Sequence, residues 1–256
     1  MTPWQFLIAA LAAFAAGAVN ALAGGGTLIT FPTLTALGLP AVAANITSTV
    51  SLFPGYFGAT WAQRKDLSGQ KKRLLYVLPA ALIGGLTGGI LLLLSGEKLF
   101  SQLVPFLILF AALLLALAEP LRKRLLRHQT PDQRNHSAHY LFAIPAIALA
   151  AIYGGYFGAG LSVIVLAFLA LLFEDSLIRL NALKQAIAFA TNSAAAVFFL
   201  FSGQVNWALA AVMAVSALLG GVAGGKLAGR VNPNALRWIV VSIGILISII
   251  LFVRTF

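Results

Sequence analysis

Long apolar runs outline this chain, and charge enters only between them. Residues 1–63 contain no Asp, Glu, Lys or Arg, and neither do Leu74–Gly96, Leu99–Ala118, Tyr140–Phe173 and Gln185–Gly225. A bilayer crossing needs about 20 apolar residues, so the pattern predicts an all-α polytopic membrane protein. The strands of a membrane barrel would alternate polar and apolar residues in segments of roughly 10, and no run here does. Tyr140–Phe173 is too long for one straight helix. Gly158-Ala159-Gly160 near its middle predicts two shorter pieces, either crossing fully or dipping in as a re-entrant hairpin.

The pattern also repeats. At an offset of 136 residues, Gly84-Gly85-Leu86-Thr87-Gly88-Gly89 returns as Gly220-Gly221-Val222-Ala223-Gly224-Gly225, Asn45 falls on Asn181, and Phe53 falls on Phe189. With a slip of two, Gly24-Gly25-Gly26 matches Gly158-Ala159-Gly160. Residues 1–118 and 140–256 therefore read as two transmembrane repeats. Each has a glycine-broken or re-entrant N-terminal helix pair plus about three spanning helices. Residues 119–139, with Pro120, Pro131 and several charges, read as a cytoplasmic linker. Paired repeats with glycine-broken apolar segments point to a transporter that binds its substrate between the halves.

Charge gives the repeats a direction. The chain is 61% hydrophobic and 9% charged, with a formal net charge of +11. The basic residues cluster at Arg64–Arg73, at Arg122–Arg134, at Arg179 and Lys184, and at Lys226–Arg237. Two crossings separate the first cluster from the second, and the later ones return to the same side. Fifteen of the seventeen basic residues then face the cytoplasm, as the positive-inside rule prefers. The basic loop 64–73 corresponds to neutral 200–209, so equivalent loops carry opposite bias and the repeats are expected to be inverted. Both termini would face outward. Short basic loops of this kind anchor a membrane protein, and nucleic acid is not an expected partner. The chain has no cysteine, and its first residues lack the basic start of a cleaved signal peptide.

Three successive small residues break a helix and expose backbone N–H groups at the start of the next piece. At membrane depth such backbone survives only inside protein or beside a wet cavity, and a helix start attracts an anion. Gly24, Gly25, Gly26 and Thr27 in one repeat, and Gly158, Ala159 and Gly160 in the other, are thus candidate substrate contacts. Close helix packing is the competing explanation, and it suits the glycines of 84–89 and 220–225 better. Asn45 and Ser48 correspond to Asn181 and Lys184, and with Gln185 they complete the candidate set. Lys184 either snorkels to the cytoplasm or pairs with an anion. His128, His136 and His139 lie in or beside the linker, and every acidic residue lies near a loop. No catalytic dyad, metal cluster or cofactor motif is expected, and catalysis is not.

The stretch Asn20-Ala21-Leu22-Ala23-Gly24-Gly25-Gly26-Thr27-Leu28-Ile29-Thr30-Phe31-Pro32, with Gly155–Gly160 and Asn181-Ala182-Leu183-Lys184, resembles the TauE/SafE family of bacterial membrane permeases. The resemblance runs from about residue 5 to 252. It implies secondary transport, with export the expected direction, of small sulfur-containing anions such as sulfite or organosulfonates across the bacterial inner membrane. The expected partners are a small anionic substrate and the lipid bilayer. An anion channel of the same architecture, or a membrane protein that transports nothing, is the alternative.

Overall fold

In the computed structural model, residues 2–127, 136–173, 175–227 and 233–255 are described, and no strand occurs among them. Helices α1 (Pro3–Leu22), α2 (Thr27–Ala36), α3 (Ala41–Ala62) and α4 (Lys71–Arg127) form the first half. Helices α5 (His136–Tyr156), α6 (Leu161–Leu172), α7 (Leu177–Phe199), α8 (Trp207–Leu227) and α9 (Pro233–Thr255) form the second. At Gly96 the backbone of α4 turns to φ 68°, so α4 is two helices meeting at a kink, as the flanking apolar runs require. Its two segments then correspond to α8 and α9, and each half offers the same order of five helical pieces. The segment expected as linker is helical up to Arg127 and again from His136. Residues 128–135 lie outside the described residues, as does Glu174.

Local sequence sets the helix ends. Thr2 and Gln5 form a capping box ahead of Pro3. The Ser176 hydroxyl caps α7 by accepting from the Arg179 N–H at 3.4 Å. The Glu97 carboxylate, one residue past the kink, caps α3 from a distance by accepting the Ala41 and Val42 N–H groups at 2.6 and 3.0 Å. Helix α7 begins at Leu177, ahead of the charge-free run at Gln185, so Asn181 and Lys184 lie inside a helix and not at its edge.

The glycine sets act as the packing explanation requires. Gly84 and Gly88 press on the backbone at Ala148 and Ile152 of α5, while Gly220 and Gly224 press on Phe14 and Ala18 of α1. Gly85 meets the Thr191 carbonyl of α7, and its counterpart Gly221 meets the Gly55 carbonyl of α3. Backbones approach this closely only where no Cβ intervenes. Every one of these contacts has its partner in the other half, at the offset of 136 for the glycines, Gly55 and Thr191 and with the slip of two for the α1 and α5 residues, and within each pair the helices run parallel. Helices α3 and α7 instead cross antiparallel. Phe53 stacks on its own counterpart Phe189 at the crossing, with ring centroids 5.5 Å apart, and Gln63 meets Asn181 at one end. Among the described residues, Pro3–Leu22, Lys71–Leu117 and Trp207–Leu227 are long and apolar enough to cross a membrane.

Candidate functional site

Each short helix, α2 and α6, starts from a glycine break, and the two breaks face each other. In the first, Ala23 and Gly24 donate N–H bonds to Val19 O, after which Gly24 and Gly25 take φ of 85° and 89°. The buried Asn20 side chain closes the turn by accepting the Gly26 N–H at 2.7 Å. In the second, Gly158 and Gly160 take φ of 83° and 79°, and Tyr153 closes the turn by donating its hydroxyl to Ala159 O at 2.7 Å. A Cβ on Gly24 would lie 2.6 Å from the Cβ of Ser162, and one on Gly158 would lie 3.5 Å from the Thr27 hydroxyl. The breaks thus meet across the halves. Their donors are less free than the pattern suggests, because Gly26 N–H is bound by Asn20 and Leu161 N–H reaches Gly158 O at 3.3 Å.

The crossing pair α3 and α7 clamps both breaks. Asn45, fully buried on α3, donates its amide to Tyr156 O, beside the second break, at 2.9 Å. Gln185, fully buried on α7, donates its amide to Asn20 O, beside the first break, at 3.0 Å. Each half therefore holds the other's break. Ser48 is tied to Thr30 of α2 by a 2.6 Å hydroxyl pair. Asn181 is not brought to the breaks. Its amide donates to Gln63 Oε1 at 2.7 Å, where the loop after α3 meets the start of α7.

Lys184 is the unusual member. It lies roughly 10 Å into α7 at 1.5 Å per residue, and only 1% of it is exposed. It does not snorkel. Among the described residues no carboxylate or hydrogen-bond acceptor pairs with its ammonium. A buried charge without a partner is costly and marks a functional position in a membrane protein. Asn45 Oδ1 and Gln185 Oε1 are likewise buried without a donor, as are Thr191 Oγ1 and Asn192 Oδ1 one to two turns further along α7. Each such atom costs about 1–3 kcal/mol. No group of three or more His, Cys, Asp or Glu that could hold a metal occurs among the described residues.

Asn20, Thr30, Tyr153 and Ser162 belong to this constellation although the sequence reading passed over them. Asn20 carried a signal, as the first strongly polar side chain after Gln5 in an apolar helix. The two hydroxyl residues and Tyr153 carried none, since their places depend on how the halves meet.

These helices, the broken pair at their centre and the buried lysine define a multi-pass membrane protein with a polar centre between two halves. The model of the family described as "Sulfite exporter TauE/SafE" matches residues 9–251, and the chain belongs to that family. It is 26% identical over 228 residues to a probable membrane transporter protein of Haemophilus influenzae, covering 89% of this chain and 87% of the relative. It is 26% identical over 246 residues to the probable membrane transporter protein YfcA of Escherichia coli K12, covering 95% and 86%. A probable membrane transporter protein of Sinorhizobium, ORF9, is 25% identical over 93% of this chain and 89% of its own length. No solved structure matches the chain. Membership in a transporter family accords with the expected function at its coarser level.

Proposed function

We propose that the protein is a secondary transporter of small sulfur-containing anions that exports them across the bacterial inner membrane. The observation that carries the reading is Lys184, buried in the interior with no carboxylate paired to it among the described residues, in a molecule whose two glycine breaks face each other across the halves. An anion held between the breaks would supply that counter-charge and take its remaining hydrogen bonds from the polar groups around it. The antiparallel crossing of α3 and α7, counterparts at the repeat offset, supports inverted repeats over 1–118 and 140–256. Inversion lets the same site be approached from either side. Burial of the site residues favours a carrier over an open channel.

The test is flux from proteoliposomes loaded in turn with sulfite, sulfate, thiosulfate and sulfoacetate under an imposed potential. At least one of these anions should leave faster when the loaded side is negative, since a charge moving outward gains about 2.3 kcal/mol per 100 mV. Lys184→Ala should lower the apparent affinity roughly ten- to a hundredfold, the worth of about 1.5–3 kcal/mol for a charged donor. Lys98→Ala, at the α4 kink, should leave affinity near wild type. Absence of flux for all four anions, or a Lys184→Ala protein with unchanged affinity, would overturn the assignment.

A further inference from the structure

The first turns of α4 carry a groove that lies outside the polar centre. Lys71, Leu74, Leu75, Leu78, Pro79 and Leu82 line it, and its volume is about 420 Å³. Alternate steps of three and one put all six on one face of the helix. From Lys71 to Leu82 that face runs roughly 16 Å at 1.5 Å per residue. This is about half of the ~30 Å hydrocarbon core, the depth of one leaflet. Every lining residue except Lys71 is apolar, and Lys71, Leu75, Pro79 and Leu82 are exposed. On a helix long and apolar enough to cross a membrane, such a face meets lipid.

Positive charge is left over at the same end of the groove. Arg73 and Arg179 share Asp175, and Arg64 lies over the Trp61 ring at 4.6 Å. Lys71 and Lys72 have no carboxylate partner among the described residues, and the first turn of α4 holds no acidic residue. The helix dipole opposes lysines at a helix start, so helix stability does not account for this pair. We propose that the groove seats one anionic phospholipid, with its phosphate at Lys71, Lys72 beside it, and one acyl chain along Leu74 to Leu82. The charge at one end and the apolar wall below it match the two parts of that molecule. Residues 128–135 offer no apolar side chain except Pro131, so that segment does not suit the groove. In a two-fold dimer within the membrane the Lys71 side chains of both copies would lie at one depth, setting like charges together.

The experiment is native mass spectrometry of the purified full-length protein in detergent, titrated with phosphatidylglycerol and with phosphatidylcholine of the same acyl chains. The wild type should bind phosphatidylglycerol about fivefold more tightly, the equivalent of about 1 kcal/mol for one lysine at an anionic headgroup. Lys71→Gln should bring the two lipids level. Leu78→Trp, which fills the groove without changing charge, should weaken both, with its thermal transition checking that the variant is folded. Lys65→Gln removes the same charge from an exposed position off the groove and should keep the preference. Equal binding of the two lipids by the wild type would overturn the proposal. So would a loss in Lys65→Gln as large as in Lys71→Gln, which would mean diffuse charge and no seat. A dimer that disappears in Leu78→Trp would show that a second copy covers the groove, and would overturn it as well.

Discussion

Gly24 is fixed by two constraints at once, one within its own backbone and one from the other half of the chain. Its φ of 85° disfavours any residue with a Cβ, and the added atom would lie 2.6 Å from Ser162 Cβ. Gly25 is held at φ 89° against Leu115. Ala159 has no such angle, but it is fully buried in the facing break. A Gly24→Val protein should therefore insert and purify yet lose transport, because the strain falls on a turn and not on a spanning helix. Flux together with yield from membranes checks this, and wild-type flux would place the site elsewhere. The need for glycine was legible from the sequence, since three small residues in an apolar run have few other uses. The condition of Lys184 was not. From the sequence a lysine just ahead of a charge-free run can snorkel; only the earlier start of α7 and the packing around it put the ammonium in the interior.

At the level of elements, the end of the bundle carrying basic residues is locked by polar contacts between the halves. Asp175, in the loop before α7, accepts from Arg73 at the start of α4, from Arg179 Nε at 3.0 Å and from Ser176 N–H at 2.8 Å. Arg179 also donates to Ser68 O at 3.0 Å, and Gln70 donates to Arg179 O at 3.1 Å. The opposite end offers a lighter tie at the matching place, where Asn206 N–H meets the Thr47 hydroxyl at 3.0 Å. Burial raises the Asp175 carboxyl, but the bonds from Arg73, Arg179 and Ser176 outweigh it and hold the group below the usual carboxylate range. Its stabilisation is therefore present above the ordinary value of about 3.9 and lost as pH falls through the lower folded value. Asp175→Asn should lower the melting temperature at pH 7 by roughly 2–4 °C, the equivalent of about 1 kcal/mol for a part-exposed pair. The difference between wild type and variant should vanish in acid, and a gap that persists there would show that the charge is not what holds the loop. Apolar runs foretold the helices these loops join, but not the lock, whose members lie 102 residues apart in Arg73 and Asp175.

For the whole molecule, the decisive asymmetry is that the two ends of the bundle differ in charge while the two halves share one plan. Glycine spacing marked 84–89 and 220–225 as helix-packing faces, and the contacts of Gly85 with Thr191 and of Gly221 with Gly55 show which helices they pack against. Which end faces the cytoplasm follows from charge alone, since a helical bundle packs equally well either way up. The loop 63–70 and the start of α7 are joined through Gln63 and Asn181, which gathers Arg64, Lys65, Lys71, Arg73 and Arg179 at one end. Ser202, Gly203 and Gln204 lie at the other, beyond Phe199. The positive-inside rule then predicts the first end in the cytoplasm and the termini outside. In this orientation the basic face would concentrate anions where an exporter loads them. Because the chain has no cysteine, single cysteines report on this without background. In spheroplasts a membrane-impermeant maleimide should label Gln204→Cys at once, and should reach Ser68→Cys only after permeabilisation; both side chains are exposed. The reverse pattern would turn the molecule over, put the locked basic end outside, and make uptake, not export, the direction its charge distribution favours.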